Sequence, residues 1–258
     1  MEIIGRGLIA ASLAPYAENH EGTIAFAAGV SNSACIDAEA YDRETRLLRE
    51  TLDRAATLDA RIVYFSGAGA IYGRSPSPAV EDGPLEPQTP YGRHQVAAEG
   101  VIHDSGVRHL VIRLPNVVGP SGHPHQLVPA LVTQVLGGVV RVESRARRDL
   151  VGVDAMAAIV DELLTHVTED TVVHVATGQP VGAEAIVAEI ASILGRSPAI
   201  DRVDGGRVQS FSTVRLAELL GHQPFPEPDS FRTTLRTYVP ALADRLAAGT
   251  TSAIERTG

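Results

Sequence analysis

The first chemical signal in the sequence is a glycine turn near its start. Residues 5–10 read GRGLIA, which has GxGxxA spacing, and they stand between a short apolar run, Glu2–Ile4, and an amphipathic stretch, Leu8–Glu18. Such glycines let the backbone approach a pyrophosphate, to which the following helix N-terminus offers N–H groups and a positive dipole. An ordinary tight turn is the alternative, but the placement in the first strand–helix unit favours dinucleotide binding. The predicted contacts are Gly5, Arg6, Gly7, Leu8 and Ile9.

One part of a complete dinucleotide site is missing from the sequence. An acidic residue that binds a ribose is expected about 20 residues further on, at the end of a second strand. Residues 27–33 instead read AAGVSNS, which contains no carboxylate. The adenosine end of the site therefore departs from the usual pattern.

Two histidines, His123 and His125, come nearest to a metal-binding pattern. They lie in the segment GHPHQL, residues 122–127, and no third ligand is spaced beside them. A zinc site takes three or four protein ligands. We therefore predict no metal and interpret this segment as the wall of a substrate pocket or as a plain loop.

The basic residues are unusual because all 22 residues counted as lysine or arginine are arginines. Without lysine, the chain has no Schiff-base lysine, phosphate-loop lysine or lysine general base. Against 31 acidic residues these arginines leave a net charge of −9, which argues against a broad grip on nucleic acid. Small molecules are the expected partners.

Cysteine usage and hydropathy bear on the compartment. The single cysteine, Cys35, cannot form an internal disulfide, which fits a reducing cytoplasm. The first residues, MEIIGRG, contain neither a basic n-region nor a long apolar run, and no run of about 18 apolar residues follows. The sequence thus predicts a cytoplasmic protein with no signal peptide and no membrane span.

Short β-branched runs alternate with amphipathic stretches, a pattern that predicts an α/β fold with a doubly wound parallel sheet. The predicted strands are Glu2–Ile4, Thr23–Ala27, Arg61–Phe65, His109–Arg113 and Val172–Val175. The predicted helices are Leu8–Glu18, Ala40–Ala56, Tyr91–Asp104, Leu127–Leu136, Val153–Thr165 and Ala183–Leu194. The segment Ser75–Pro90 holds five of the sixteen prolines, so we expect an irregular loop over a site.

The length of 258 residues suits one main domain with a small appendage. We predict a Rossmann-like domain over residues 1–177 and a small C-terminal substrate lobe over residues 178–246, to which residues 120–140 contribute. Residues 247–258 carry no core pattern and are predicted to form a frayed, disordered tail.

An ordered set of motifs resembles the extended short-chain dehydrogenase/reductase family, which contains nucleotide-sugar epimerases, dehydratases and ketoreductases. The matching segments are GRGLIA, AAGVSNS, VYFSGAGAIYG, PYGRHQVAAE, RLPNVVGP, RRDLVGVD, HVATG and STVRLAELLGHQP. In this family an AAGVS-like turn follows the fourth strand, whereas here it follows the glycine turn by about twenty residues. The resemblance thus implies that the strands holding the adenosine are deleted and that Ala28, Gly29 and Ser31 contact the cofactor.

The resemblance also identifies a degenerate catalytic centre. The family uses a Tyr-x-x-x-Lys helix motif and a Ser or Thr from the preceding strand end. Here Tyr91 is retained, Gln95 replaces the lysine, and Ala68 stands where the hydroxyl usually lies. Ser66 is the nearby hydroxyl, either catalytic and cofactor-binding or a structural serine at a strand end. Tyr91 and Gln95 are expected at the cofactor, and Ala68 at the substrate.

The missing lysine favours one direction of reaction. An unassisted tyrosine has a pKa of about 10, so its phenol is almost entirely protonated at neutral pH. Reduction of a ketone needs that protonated acid, whereas oxidation of an alcohol needs the phenolate as base. Loss of the lysine therefore impairs epimerisation and dehydration, which start with oxidation, more than it impairs reduction.

Further site residues follow from the resemblance. Pro115 is implied at the cofactor and Asn116 beside the nicotinamide and the substrate, while Arg148 corresponds to an arginine that grips a nucleotide diphosphate. A guanidinium suits phosphate because it donates two parallel hydrogen bonds. Gln126, Leu127 and Arg207 complete the expected substrate contacts. His174 replaces an asparagine that binds substrate in many relatives.

The leading hypothesis is an enzyme that reduces a nucleotide-activated 4-keto-deoxysugar with NADH or NADPH, as in antibiotic deoxysugar pathways. Arg6 in the glycine turn suits a 2′-phosphate and favours NADP slightly over NAD. The alternatives are a non-redox cyclase or isomerase, a ligand-binding protein on the same scaffold, or a ketoreductase of a polyketide or aglycone. The oligomeric state stays open, with a homodimer among the alternatives.

Overall fold

The structure is a computed structural model that describes residues 1–225 and 229–254. The strands are β1 (Glu2–Ile4), β2 (Thr23–Phe26), β3 (Arg61–Gly67), β4 (His109–Leu114), β5 (Asn116–Val118), β6 (Val139–Glu143), β7 (Arg147–Arg148), β8 (Leu150–Gly152), β9 (Thr171–His174), β10 (Val181–Gly182) and β11 (Ala199–Val203). The helices are α1 (Leu8–Leu13), α2 (Ala38–Thr57), α3 (Ala68–Ile71), α4 (Pro90–Asp104), α5 (Leu127–Leu136), α6 (Val153–His166), α7 (Ala183–Leu194), α8 (Val214–Leu220) and α9 (Ser230–Ile254). The predicted strands and helices are confirmed within a few residues, apart from the first helix.

The central sheet is parallel, with the order β1-β2-β3-β4-β9. Its strands are the β-branched runs of the sequence, and every residue of β4 is buried, as expected for a strand covered on both faces. Alternate residues of β3 serve opposite layers: Ile62 and Tyr64 pack with α2 and α4, and Val63 packs with α1, α5 and α6. The α/β prediction is confirmed.

Strand β1 lies at the edge of this sheet within the residues that the structure describes. The chain from Ile4 to Thr23 contains α1 and a 3-10 helix, Ala14–Asn19, and then enters β2, which pairs with β1 directly. This short connection agrees with the predicted deletion beside the glycine turn. The helix predicted over Leu8–Glu18 is wrong beyond Leu13, because Pro15 starts the 3-10 helix and cannot donate the α-helical hydrogen bond.

The proline-rich segment Ser75–Pro90 is irregular, as predicted. It is held in place by the buried guanidinium of Arg113. Arg113 donates to Glu99 at 2.6 Å, to the Tyr72 hydroxyl at 2.6 Å and to the Glu81 carbonyl at 2.7 Å. A buried charge is stable only when it is paired and hydrogen-bonded in this way. The loop is therefore held in a defined position beside the ends of the strands.

The C-terminal part contains the pairs β6–β11 and β7–β10 and the long helix α9, which packs on α5 and α7. Helix α9 continues to Ile254, so the frayed tail predicted from residue 247 is wrong as far as residue 254. Residues 255–258 lie outside the described residues. Among the described helices, none combines the length and apolar character required to cross a bilayer.

Candidate active site

A cleft of about 1350 Å³ lies at the carboxyl ends of β1, β2, β3 and β4. In parallel α/β sheets, ligands bind at this edge. The predicted site residues that line the cleft are Gly5, Arg6, Gly7, Leu8, Ile9, Ala28, Gly29, Ser31, Ser66, Tyr91, Gln95, Pro115, Asn116, Gln126, Leu127, Arg148 and Arg207. Residues from widely separated parts of the sequence thus meet in one cavity.

Ala68 is the predicted site residue that does not line the cleft. It is fully buried at the start of α3 and packs in a small apolar cluster with Ile71 and Phe211. The structure therefore places its side chain inside the protein. His174 is also buried, and its ring nitrogen lies 2.6 Å from the Tyr72 hydroxyl under the proline-rich loop.

The glycine turn is shaped by two different requirements. Gly5 has a φ of 135°, and a Cβ there would lie 2.3 Å from the carbonyl oxygen of Ala27, so the turn after β1 packs directly on the turn after β2. Gly7 has a φ of −81°, and a Cβ there would meet no atom within 4 Å. Gly5 is thus required by the fold, whereas Gly7 leaves open space at the cleft.

A buried carboxylate holds the second turn from behind. Glu44 in α2 accepts the backbone N–H of Val30 at 2.7 Å, and its Oε1 would lie 3.2 Å from a Cβ on Gly29. Glu44 stands in none of the motifs of the sequence. Its burial could have been predicted from spacing, because Glu44 stands four and eight residues before Leu48 and Leu52, which lie on the buried face of the same helix.

Tyr91 enters the cleft from the first turn of α4. The Thr89 hydroxyl caps this helix by accepting the N–H of Gly92 at 3.0 Å, and Pro90 occupies the first helical turn. The Tyr91 hydroxyl lies over Gly67, 3.0 Å from where a Cβ would stand. Any side chain at residue 67 would displace it, so the glycine at the end of β3 makes room for the phenol.

Gln95 lies one helical turn after Tyr91, on the same face of α4. Its amide oxygen accepts the Tyr64 hydroxyl and the Gly67 N–H, both at 3.3 Å. The side chain is almost fully buried, so it fixes the end of β3 beneath the phenol. Gln95 supplies no charge to Tyr91, in contrast to a lysine.

Two polar groups at this point of the cleft are available for chemistry. The Ser66 hydroxyl is buried and has no hydrogen-bond partner among the residues that the structure describes. Burial raises the pKa of Tyr91 well above its usual value of 10, and the charge of Glu44 and the phenol of Tyr41 raise it further. Tyr91 therefore holds its proton over the physiological range, as a proton donor must.

The far end of the cleft carries guanidinium groups. Arg148 is partly buried, which lowers its pKa, and it donates to the backbone oxygens of Arg147 at 3.0 Å and Arg207 at 2.7 Å. Asn116 donates to the carbonyl oxygen of Asp149 at 3.0 Å. These bonds fix both side chains at the wall of the cavity.

Several residues that line the cleft come from segments of the sequence that contain no predicted site. Arg245 in α9 and Gln209 before α8 reach the cleft from the C-terminal part. Neither stands in a motif, and only the folding of that part onto the sheet brings them there. His123 and His125 line the cleft with stacked rings 5.1 Å apart. No cluster of three metal-ligating side chains occurs among the described residues.

Comparison with known proteins gives one family and a common fold. The model of a family described as "NAD dependent epimerase/dehydratase family" matches residues 16–176, which begin after the glycine turn. No curated protein matches the sequence.

Three solved structures illustrate the shared fold. MoeE5 in complex with UDP-glucose and NAD has 19% identity and a TM-score of 0.75, over 94% of this chain and 84% of that one. RMD from Pseudomonas aeruginosa complexed with NADPH has 22% identity and a TM-score of 0.71, over 87% and 81%. The Thermus thermophilus UDP-glucose 4-epimerase complex with NAD has 20% identity and a TM-score of 0.70, over 92% and 82%.

Proposed function

The chain belongs to the NAD dependent epimerase/dehydratase family, and on that premise we propose that it is an NADH- or NADPH-dependent ketoreductase acting on a nucleotide-activated 4-keto-deoxysugar of the kind made for antibiotics. The observation that carries the direction of reaction is the state of Tyr91. Its phenol is kept protonated by burial and by a nearby carboxylate, with no lysine in the chain to oppose them. This arrangement suits an acid that donates a proton to a ketone.

The residues of the cleft fit a nicotinamide dinucleotide. The open space at Gly7 admits a phosphate close to the backbone, and the turn is held in place by the contact of Gly5 with Ala27. The unpartnered Ser66 hydroxyl offers a buried hydrogen bond at the reacting end. The structures of MoeE5 and the UDP-glucose 4-epimerase are complexes with NAD and that of RMD is a complex with NADPH, which supports the same cofactor class here.

The reaction can be written with the residues of this chain. When bound, the reduced nicotinamide supplies a hydride to the carbonyl carbon. The Tyr91 phenol donates its proton to the carbonyl oxygen, the Ser66 hydroxyl hydrogen-bonds that oxygen, and the product is an alcohol. Water then returns a proton to Tyr91. Gln95 fixes the end of β3 and Gly67 makes room for the phenol, and neither residue adds charge.

Two observations support the proposed substrate class: the arginines that line the cleft and the ligand of one structurally similar protein. Arg148, Arg207 and Arg245 all line the cavity, and guanidinium groups suit the two phosphates of a nucleotide sugar. MoeE5 binds UDP-glucose. Binding of the two phosphates to these arginines would leave the sugar ring free to reach Tyr91.

Titration of the protein with NADPH and NADH, followed by nicotinamide fluorescence, tests the cofactor proposal. We expect saturable binding of both, with NADPH slightly tighter because Arg6 is an exposed cation in the glycine turn. Equal affinities would remove the preference for NADP. No binding of either cofactor at millimolar concentration would leave a non-redox cyclase, isomerase or ligand-binding protein. The observation that favours that second function is the position of β1 at the edge of the sheet. Among the described residues, no further strand lies beside β1 to hold the adenosine of a cofactor.

Replacing Arg148 by alanine is expected to raise KM strongly for the nucleotide sugar and to leave kcat little changed. A phosphate contact remote from the reacting carbon contributes equally to binding of the ground state and the transition state. Steady-state kinetics measure the two constants. Arg145→Ala is the matched control, since Arg145 is an exposed arginine outside the cleft. An unchanged KM in Arg148→Ala, with a phosphate-free ketone as best substrate, would favour a polyketide or aglycone.

Replacing Gln95 by lysine is expected to shift the pH profile of the reverse reaction, alcohol oxidation, to lower pH. An ammonium near Tyr91 favours the phenolate, which is the base for oxidation. The phenolate forms as pH rises through the pKa of Tyr91, so a lower pKa brings oxidation to lower pH. Initial rates across the pH range measure the shift. An unmoved profile in a folded variant would show that charge at residue 95 does not reach Tyr91.

A further inference from the structure

Glu44 is a buried carboxylate close to the active site that takes no part in the bond changes of the proposed reaction. It is only 4% exposed and does not line the cleft. Its Oε2 accepts the Val30 N–H at 2.7 Å, and the Tyr64 hydroxyl lies 3.4 Å from its Oε1. Burying a carboxylate costs free energy unless its interactions compensate for the lost hydration. The position of Glu44 behind the turn of residues 27–31 therefore needs a physical reason.

A short run of buried polar groups leads from Glu44 to Gly67, the residue over which the Tyr91 hydroxyl lies. The Tyr64 hydroxyl lies between the Glu44 carboxylate and the Gln95 amide oxygen, 3.3 Å from the latter. Gln95 in turn accepts the N–H of Gly67, over which the Tyr91 hydroxyl lies. In such a buried region, water screens a negative charge much less than it does at the surface.

We propose that Glu44 is a positioning residue that keeps the phenol proton on Tyr91 and thereby restricts the site to donating protons. This inference rests on the proposed ketone reduction. A phenolate on Tyr91 would place a second negative charge close to the buried carboxylate, which is unfavourable, so alcohol oxidation through a Tyr91 base is suppressed. The same carboxylate also fixes the turn of residues 27–31 by accepting the Val30 N–H. One side chain thus helps both to position the cofactor and to keep the proton on Tyr91.

The other groups that face Tyr91 do not supply this negative charge. Tyr41 from α2 and Tyr64 from β3 are phenols whose pKa is also raised by burial, so neither carries a negative charge at neutral pH. His94 on α4 lies 3.1 Å from Glu44 and carries no negative charge. The arginines of the cleft wall, Arg6, Arg148, Arg207 and Arg245, carry the opposite charge. At neutral pH, Glu44 is therefore the negatively charged group that adds to the effect of burial in opposing ionisation of Tyr91.

The test is a titration of Tyr91 in the cofactor-free full chain, carrying the substitution Glu44→Gln. The amide keeps the shape and an oxygen for the Val30 N–H but removes the charge. With ring-labelled tyrosine, the NMR signal of Tyr91 is assigned by its loss in Tyr91→Phe. We expect about tenfold more phenolate at a given alkaline pH than in the native chain, as removal of a nearby like charge predicts. An unchanged titration in a folded Glu44→Gln protein would overturn the proposal.

Two further variants separate charge from packing. Glu50→Gln removes the same charge from an exposed site on the same helix, and it should leave the Tyr91 titration unchanged. His94→Gln disturbs the neighbour of Glu44 but leaves the carboxylate, so it should not increase the phenolate fraction. An increase in His94→Gln as large as that expected for Glu44→Gln would overturn the proposal, even if Glu44→Gln fails to fold. Failure of NADPH to bind would refute the proposed function and leave this titration result standing.

Discussion

Replacing Tyr91 by phenylalanine is expected to lower kcat by about 10²–10⁴, the usual contribution of a positioned acid. The phenol lies at the end of β3, over Gly67 and near the unpartnered Ser66 hydroxyl, and burial raises its pKa well above 10. The variant keeps the ring and loses only the proton donor, so KM for the cofactor should change little. Steady-state rates of ketone reduction measure the effect.

Tyr41→Phe is the matched control for this substitution. Tyr41 lies on the neighbouring helix α2, outside the cleft, and its hydroxyl donates to the carbonyl oxygen of Cys35 at 2.6 Å. Its loss should leave kcat within about a factor of three. A full rate in Tyr91→Phe would refute the acid role and leave solvent, a substrate hydroxyl or a non-redox reaction to explain turnover.

Replacing Gly7 by valine is expected to abolish NADPH binding while the protein stays folded. The backbone at Gly7 has a negative φ that any residue adopts, and the space around its Cβ position is empty of protein atoms within 4 Å. A valine side chain would occupy the space into which we expect the phosphate to fit. Fluorescence titration measures binding, and thermal unfolding reports the stability of the fold.

Gly182 provides a matched position for the same change. It also precedes a helix, with a φ of −62° and no atom within 4 Å of its Cβ position, but it does not line the cleft. Gly182→Val should therefore bind NADPH like the native chain. If Gly7→Val binds NADPH normally, the glycine turn is an ordinary strand–helix connection and the cofactor lies elsewhere.

The sequence predicted those parts of the site that local patterns determine. The glycine turn, Tyr91 and Gln95 stand at fixed distances from strand ends, so recognising β1, β3 and α4 is enough to place them at one edge of the sheet. Pro15 was the local exception, because it changes the type of helix without interrupting its apolar pattern.

The residues that the sequence did not reveal depend on tertiary packing. Arg245 reaches the cleft because α9 docks on α5 and α7, and no local pattern specifies that docking. Ala68 matches the family position in the alignment of motifs, but the start of α3 buries its side chain. Glu44 looks like an ordinary helix glutamate until the buried face of α2 is located.

The most direct test of ketone reduction is isotope transfer. The native protein is incubated with NADPH that carries deuterium in place of the transferable hydrogens at nicotinamide C4 and with a nucleotide-activated 4-keto-6-deoxysugar, and the product is analysed by mass spectrometry. We predict an alcohol that contains one deuterium, formed together with one equivalent of oxidised cofactor. A product without deuterium, formed while the cofactor stays reduced, would contradict the account and identify a non-redox reaction on this fold.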